Sequence, residues 1–550
     1  MKASPASEVD SSVPAAERRP LRSADRDRSP GASRLPKLCG ADVELGNFIA
    51  GEVAPGGTGA FASRLLLRQI RGFPAGSSRD SGVSYEDQDW GRKYLKENGG
   101  CIYIDLDHLE LAQPEVLSAF DHVACWRAML QLARRAQTAA NAELPAGKCI
   151  EVLVNNSDGQ GNSYGSHLDF LITRRAWDDL FCHRLHTLLF LASYQASSIV
   201  FTGQGKVGSE NRQQDVPFQI SQRADFFEML SSIETTQRRP IVNSRNEALC
   251  GGYRRTVKGR IPACDMARLH VIFYDNTLCP VACLLKVGVM QIVLAMIEAG
   301  RVNPQLILDN PLAAVRHWSH DPTLHATAEL IGGQRLTAVE LQMRCCDEAR
   351  AFVQEGGCEG IVPQAHEILE LWGDTLDKLR RGDFAALSSR IDWILKSSLL
   401  ERARQQYPTW SGDAPELKRL DLMYGSLRNG LFWACEQNGL VETVVSEDRI
   451  EHFTCHPPED TRAWTRAMLL RQAQPGEIQR VDWDEIALRV CGPGGWTTRE
   501  TVWLSDPLAG GKAENERLFQ GPGSLAEVVE ALNESSALAA GGSNGEGTTI

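Results

Sequence analysis

Apolar and polar positions change rhythm along this chain, and the change divides it. In the first half the apolar residues run in short blocks or alternate, as strands require. That pattern predicts strands over 38–45, 100–111, 149–154, 199–202, 241–243 and 269–274. Over 114–143 the apolar residues Phe120, Val123, Ala124, Met129, Leu130, Leu132 and Ala133 recur at three- and four-residue spacing instead. This predicts a helix, with Pro114 near its start. From Val287 onward the rhythm is mostly helical, with helices expected over 341–352, 363–379 and 384–406 and a mixed region over 415–505. Strands early and helices late imply an α+β domain followed by a smaller one. The expected divisions are a tail to residue 35, a large domain over 36–414, a small C-terminal domain over 415–510 and a second tail over 535–550. The tails are rich in Ser, Pro, Ala and Arg, or in Gly, and such composition cannot bury enough apolar surface to fold.

Composition narrows the functions. The 58 basic and 70 acidic residues give a net charge of −12, which argues against a nucleic-acid-binding surface. No run of about 18 apolar residues appears, so no membrane-spanning helix is expected. The longest candidate, 287–299, contains Gln291 and Glu298 and reads as a packed helix. The first 33 residues lack the apolar core of a secretory signal. The fifteen cysteines include no CxxC pair and are expected reduced and buried, in the cytoplasm.

Four polar clusters then stand out, each beside a predicted strand. In Gly40-Ala-Asp42-Val-Glu44, period two places both carboxylates on one face. They repel unless a cation such as magnesium lies between them, or unless the strand edge is solvated. In Asp105-Leu-Asp107-His108-Leu-Glu110, four ionisable groups fall within six residues. An unbroken strand puts Asp105 and Glu110 on opposite faces, so one site can use both only across a break or bulge. The segment 155–167 is a polar, Gly-rich loop ending in His167, either a plain surface loop or a backbone that approaches phosphate or metal. The fourth is a set of arginines, Arg223, Arg245 and Arg268, the last sharing a strand face with His270. Arginine offers phosphate a planar fork of donors. Metal-binding carboxylates, phosphate-binding arginines and a spare Asp for a base together equip an ATP-driven acyl-phosphate enzyme.

Taken in order, "NNSDGQGNSYGSH", "SQRAD", "RRPIVNSRNE", "RLHVIFYDNT", "LLKVG", "DNPLAAVRHWSHDPT", "RIDWILKSSLLERARQQY", "RLDLMYG" and "PPEDTRAW" resemble the Pup ligase and depupylase family, relatives of glutamine synthetase, over about 37–483. The resemblance implies a glutamine-synthetase-like fold: a curved, mainly antiparallel sheet packed by helices, plus a small C-terminal domain. It implies ATP and Mg2+ as cofactors. A C-terminal glutamate of a Pup-like small protein or peptide becomes a γ-glutamyl phosphate and is joined to a lysine amine of a protein substrate. By the same resemblance Asp105 is the catalytic carboxylate. Asp42, Glu44, Glu110, His167 and His270 fall at metal–nucleotide ligand positions, and Arg223 and Arg245 at phosphate contacts.

The sequence also departs from the family. Asp42 stands where Glu is usual, His167-Leu168-Asp169 replaces His-Glu-Asn, and Glu247-Ala-Leu-Cys250 replaces Glu-Pro-His. A basic insert over 254–260 is expected to meet an acidic partner. Glu44 and Asp105 lie 61 positions apart, and the helix "RIDWILKSSLLERARQQY" is ligase-like, whereas "SQRAD" and the D-x-x-H-x-E spacing are depupylase-like. The expected function is therefore an ATP-dependent ligase. The alternatives are a depupylase or deamidase with the same site and a non-catalytic nucleotide-binding homologue.

Overall fold

The polar–apolar alternation of β1 (Cys39–Ala50) organises the molecule. In the computed structural model, which describes residues 34–54, 57–74, 90–245, 266–411, 414–474, 476–491, 497–521 and 523–541, β1 lies central in an eight-stranded sheet. The other strands are β2 (Phe73–Pro74), β3 (Trp90–Tyr94), β4 (Cys101–Asp105), β5 (His108–Val116), β6 (Cys149–Leu153), β7 (Ser166–Thr173) and β8 (Met266–Val271). Their order is β8–β7–β1–β5–β4–β3–β2, with β6 on the second half of β1, and every pairing is antiparallel. Cys39, Ala41, Val43 and Leu45 point into the core. There they meet the helices α1 (Gly59–Gln69), α2 (Ala119–Ala142), α3 (Leu185–Thr202) and α4 (Pro280–Glu298). The opposite face carries the charged residues. The expected α+β class, with a mainly antiparallel sheet packed by helices, is the class found.

Several expected elements differ, and the helix expected over 384–406 is two, Phe384–Leu387 and Asp392–Gln406. The strand signal at 199–202 is the end of α3. Ile199, Val200 and Thr202 have strand propensity, but α3 is buried nearly all round, so it shows no one-sided period. The helix expected from Pro114 starts at Ala119, capped by the Ser118 hydroxyl, and Pro114 belongs to β5. The β1–β5 register shifts between Cys39 and Ala41, opposite that proline, and a bulge is where a strand tolerates a residue without an N–H. The helix α4 is long and apolar enough to cross a membrane, yet all of that stretch is buried in the core.

Leu35–Ile550 forms one compact unit. Near its C-terminus, the strands Ile478–Val481, Glu485–Cys491 and Thr497–Trp503 form a small antiparallel sheet. Its apolar side shares a cluster with Tyr94, Cys101, Tyr103 and Ala112 of the large sheet. The helix Leu525–Gly541 runs into the stretch expected as the second tail. The first tail up to residue 33, residues 542–550 and the basic insert over 254–260, with Glu247 and Cys250, lie outside the described residues.

Candidate active site

The break required between Asp105 and Glu110 is a chain reversal. Residues 106 and 107 form a two-residue turn joining β4 to β5. Asp105 pairs with His108 and Tyr103 with Glu110. Cross-strand partners share a face, so the turn brings Asp105 and Glu110 to the same side of the sheet. Leu106 occupies the turn at φ +54°, a conformation that costs a branched L-residue about 1–2 kcal/mol. On the neighbouring strand Glu44 faces Glu110 directly.

Carboxylate oxygens of Glu44, Asp105 and Glu110 therefore all lie within 4.8 Å of one another, with both glutamates buried. At an effective dielectric near 20, each such pair repels by about 3 kcal/mol. The strand ladder holds them together against that repulsion, and a hard oxygen-seeking cation is the simplest way to offset it. Glu44 is further fixed by the loop before β7, since its Oε2 accepts from the Gly165 amide at 2.6 Å.

The next strands extend the polar face. His167 pairs with Asp42, and Asp169 with His270. The rings of His167 and His270 lie 5.2 Å apart, edge to face. Burial, then His270 and Arg223, push the His167 imidazole well below its usual pKa. It is neutral, and its buried Nε2 has no hydrogen-bond partner. A Cβ on Gly165 would stand 2.7 Å from that nitrogen, so only glycine lets the ring fold back there.

Asp42 stands apart from the three-carboxylate cluster. Its carboxyl hydrogen-bonds with Asp169, which also takes Arg268 Nη1 at 3.0 Å and His270 Nδ1 at 2.8 Å. Burial opposes charge on Asp169, but Arg268 and His270 outweigh it and hold its carboxyl below the usual range. Burial and the charge of Asp169 push Asp42 up, so the proton resides on Asp42.

The arginines approach from the other side. Arg223 is fully buried and donates through Nη1 to the carbonyls of Ser166 and Tyr274. Its Nε and Nη2 have no hydrogen-bond partner. Burial and Arg239 push its pKa down to about 9, while Asp275 and Glu44 favour its charge. Arg239, at the start of the strand Arg239–Asn243, donates to the Ser163 carbonyl. Sequence reasoning passed over Arg239, although Arg239 and Arg245 share the parity that picks out one strand face.

One cavity of about 950 Å³ collects Asp42, Glu44, Asp105, Glu110, His167, His270 and Arg245. Arg223, fully buried, is not among its lining residues. Arg92, Tyr103, Arg239 and Trp483 also line it without having been expected. Trp483 comes from the small C-terminal sheet region, which no local motif ties to the site. The segment 155–166 is held partly by its own bonds, Asp158 accepting from the amides of Gln160 and Asn162 and Tyr164 Oη donating to Asn155, and most of it lines the cavity.

The family model described as Pup-ligase protein matches residues 47–487. A depupylase of Acidothermus cellulolyticus is 34% identical over 479 residues, 85% of this chain and 88% of the relative. A Pup–protein ligase of Corynebacterium diphtheriae is 35% identical over 434 residues, 76% of this chain and 84% of the relative. Among solved structures, the Pup ligase PafA in complex with ADP has a TM-score of 0.65 at 26% identity, covering 82% of this chain and 91% of that one. The complex between Pup and its ligase PafA has a TM-score of 0.72 at 24% identity, over 92% and 93%, and agrees in fold. With the model spanning most of its length and relatives of both kinds above 30% identity, the chain belongs to the Pup-ligase family.

Proposed function

We propose that this protein is an ATP-dependent ligase that joins the side-chain carboxylate of a C-terminal glutamate, on a Pup-like small protein, to a lysine amine of a second protein. The observation that carries this reading is the cluster of Glu44, Asp105 and Glu110 beside the buried, unpartnered nitrogens of His167, Arg223 and Arg239. Negative groups suited to a metal thus face positive groups suited to phosphate, across a cavity large enough for a nucleotide.

The donor set fits magnesium: the carboxylates of Glu44 and Glu110, whose repulsion with each other and with Asp105 a divalent cation relieves. Glu44 and Glu110, with His167 and His270 near, would hold it, and when bound it would supply charge neutralisation at the phosphates. Arg239 and Arg245, which line the cavity, bind and orient the phosphates, with the charge of the buried Arg223 close behind them. The glutamate carboxylate attacks the γ-phosphorus of ATP, a P–O bond forms, the bond to the β-phosphate oxygen breaks, and ADP leaves. The lysine nitrogen then attacks the acyl carbon, the C–N bond forms and phosphate departs. Asp105 takes the proton that the amine loses. A reaction that draws on ATP fits the cytoplasm, the compartment expected from the sequence.

A second reading, isopeptide hydrolysis at the same site, is favoured by the greater reach of the depupylase alignment, 85% of this chain against 76% for the ligase. One experiment separates them. The protein is incubated with ATP, a Pup-like peptide ending in Glu and a lysine-bearing acceptor, and, in parallel, with a preformed isopeptide conjugate. ADP release with a new isopeptide bond supports the ligase, and cleavage of the conjugate alone supports the hydrolase. Nucleotide binding without either reaction overturns both.

A further inference from the structure

We propose that Asn47 is a positioning residue for Asp105, holding the turn that follows it in a conformation that turn would not keep by itself. The inference rests on the reading of Asp105 as the base. β1 leaves its ladder with β5 after Leu45 and pairs with β6 from Gly46, so Asn47 stands where the β4–β5 hairpin parts from β1. Its side chain fills that fork. Asn47 Nδ2 donates to the carbonyls of Gly59 at 2.8 Å and Asp107 at 3.4 Å. Asn47 Oδ1 accepts from the Leu109 amide at 3.2 Å. The Ser63 hydroxyl donates to the Asp107 carbonyl at 2.7 Å and lies 3.1 Å from Asn47 Oδ1.

The start of α1 closes the bracket. A Cβ on Gly59 would stand 2.8 Å from Asp107 Oδ2 and 3.4 Å from the Asn47 carbonyl oxygen, so the helix start lies directly against the turn. These contacts grip Asp107 and Leu109, on either side of His108, and so fix the turn. Leu106, one residue after Asp105, needs such a grip. It sits at φ +54°, 42% exposed, on the lining of the cavity. A leucine there tends to leave the left-handed region, and the carboxylate beside it would swing with the backbone. A general base displaced by a fraction of an ångström loses rate far more than affinity.

The full chain is compared as wild type, Asn47→Ala and Asn47→Ala/Leu106→Gly. Asn47→Asp, which keeps the acceptor and loses the amide donors, replaces Asn47→Ala if that variant does not fold. Three quantities are read: kcat for ADP release with a Pup-like peptide ending in Glu and a lysine acceptor, ATP affinity, and hydrogen exchange at the Leu109 amide. Asn47→Ala lowers kcat about ten-fold or more, leaves ATP affinity within about two-fold and speeds Leu109 exchange. Adding Leu106→Gly returns at least about three-fold of the lost kcat, because glycine adopts positive φ without steric cost. A side chain that merely stabilises the fold gives no such rescue. A kcat within about two-fold of wild type in Asn47→Ala, or a double variant no faster than the single, overturns the proposal. If the wild type releases no ADP, the ligase reading fails instead. Leu109 exchange then still decides the bracket, and unchanged exchange in Asn47→Ala sinks it.

Discussion

Glu115 carries the wall that Trp483 contributes to the cavity, and Glu115→Gln measures how strongly. The carboxylate is buried on β5 and takes Arg462 Nε at 2.7 Å on one oxygen and Arg466 Nη2 at 2.5 Å on the other. Arg466 in turn donates to the Trp483 carbonyl at 2.9 Å and lies over its ring at 4.8 Å. Burial alone would raise the Glu115 pKa, but Arg466 and Arg462 outweigh it and hold it at about 2, down from 4.5. Such a difference corresponds to about 3 kcal/mol of stability. It agrees with the roughly 3–5 kcal/mol lost when one member of a buried ion pair is removed. The folded-state pKa is depressed, so this stability is present above 4.5 and is lost as the pH falls toward about 2. Urea unfolding at pH 7 is the assay, repeated at intervals down to pH 3. Glu115→Gln should unfold about 3 kcal/mol more easily at pH 7 and lose stability less steeply below pH 4.5. A cost under about 1 kcal/mol, or an unchanged slope below pH 4.5, would refute the reasoning.

Three further outcomes bear on the site. Asp105→Asn should keep ATP affinity within a few-fold while abolishing isopeptide formation or cleavage, and turnover retained in that variant removes Asp105 from the mechanism. Gly165→Ala should fold but displace the His167 ring, since its Cβ would lie 2.7 Å from Nε2. ATP affinity measured by titration calorimetry then falls by about ten-fold, and an unchanged value shows that His167 contributes nothing to binding. Magnesium at 100 times its dissociation constant should stabilise the protein by about 2.7 kcal/mol in thermal unfolding, with the gain sharply reduced in Glu110→Gln. An equal gain in that variant locates the ion elsewhere.

Much of this architecture could be read from alternation alone, because a half-buried antiparallel strand writes its two faces into the sequence. β1 is the clear case: Ala41, Val43 and Leu45 inward, Asp42 and Glu44 outward. Elements buried on every side gave no such record. α3 was expected as a strand at its end because β-branched propensity was the sole signal left there. Residues contributed from far along the chain were equally silent. Trp483 and Arg92 line the cavity only because the small C-terminal sheet region and β3 pack beside β4. No local pattern ties either one to Asp105.

The acidic hairpin shows where counting along a strand fails and what replaces it. Alternation assigns Asp105 and Glu110 to opposite faces because they lie five positions apart, and that count holds only while the chain keeps its direction. A two-residue turn changes the rule. Beyond it, residues share a face when they pair across the ladder, so Glu110 joins Tyr103, and Asp105 lies on the same side two residues along. The turn thus converts an ordinary acidic stretch into a cluster, and it does so at the cost of a leucine in the left-handed region. A glycine or asparagine at position 106 would make the hairpin visible in the sequence. With leucine there, the information sits in residues distant in the chain, in the amide of Asn47 and the close approach of Gly59. The local sequence is therefore ambiguous at the point where the proposed site needs the most exact geometry, and tertiary contacts decide the outcome.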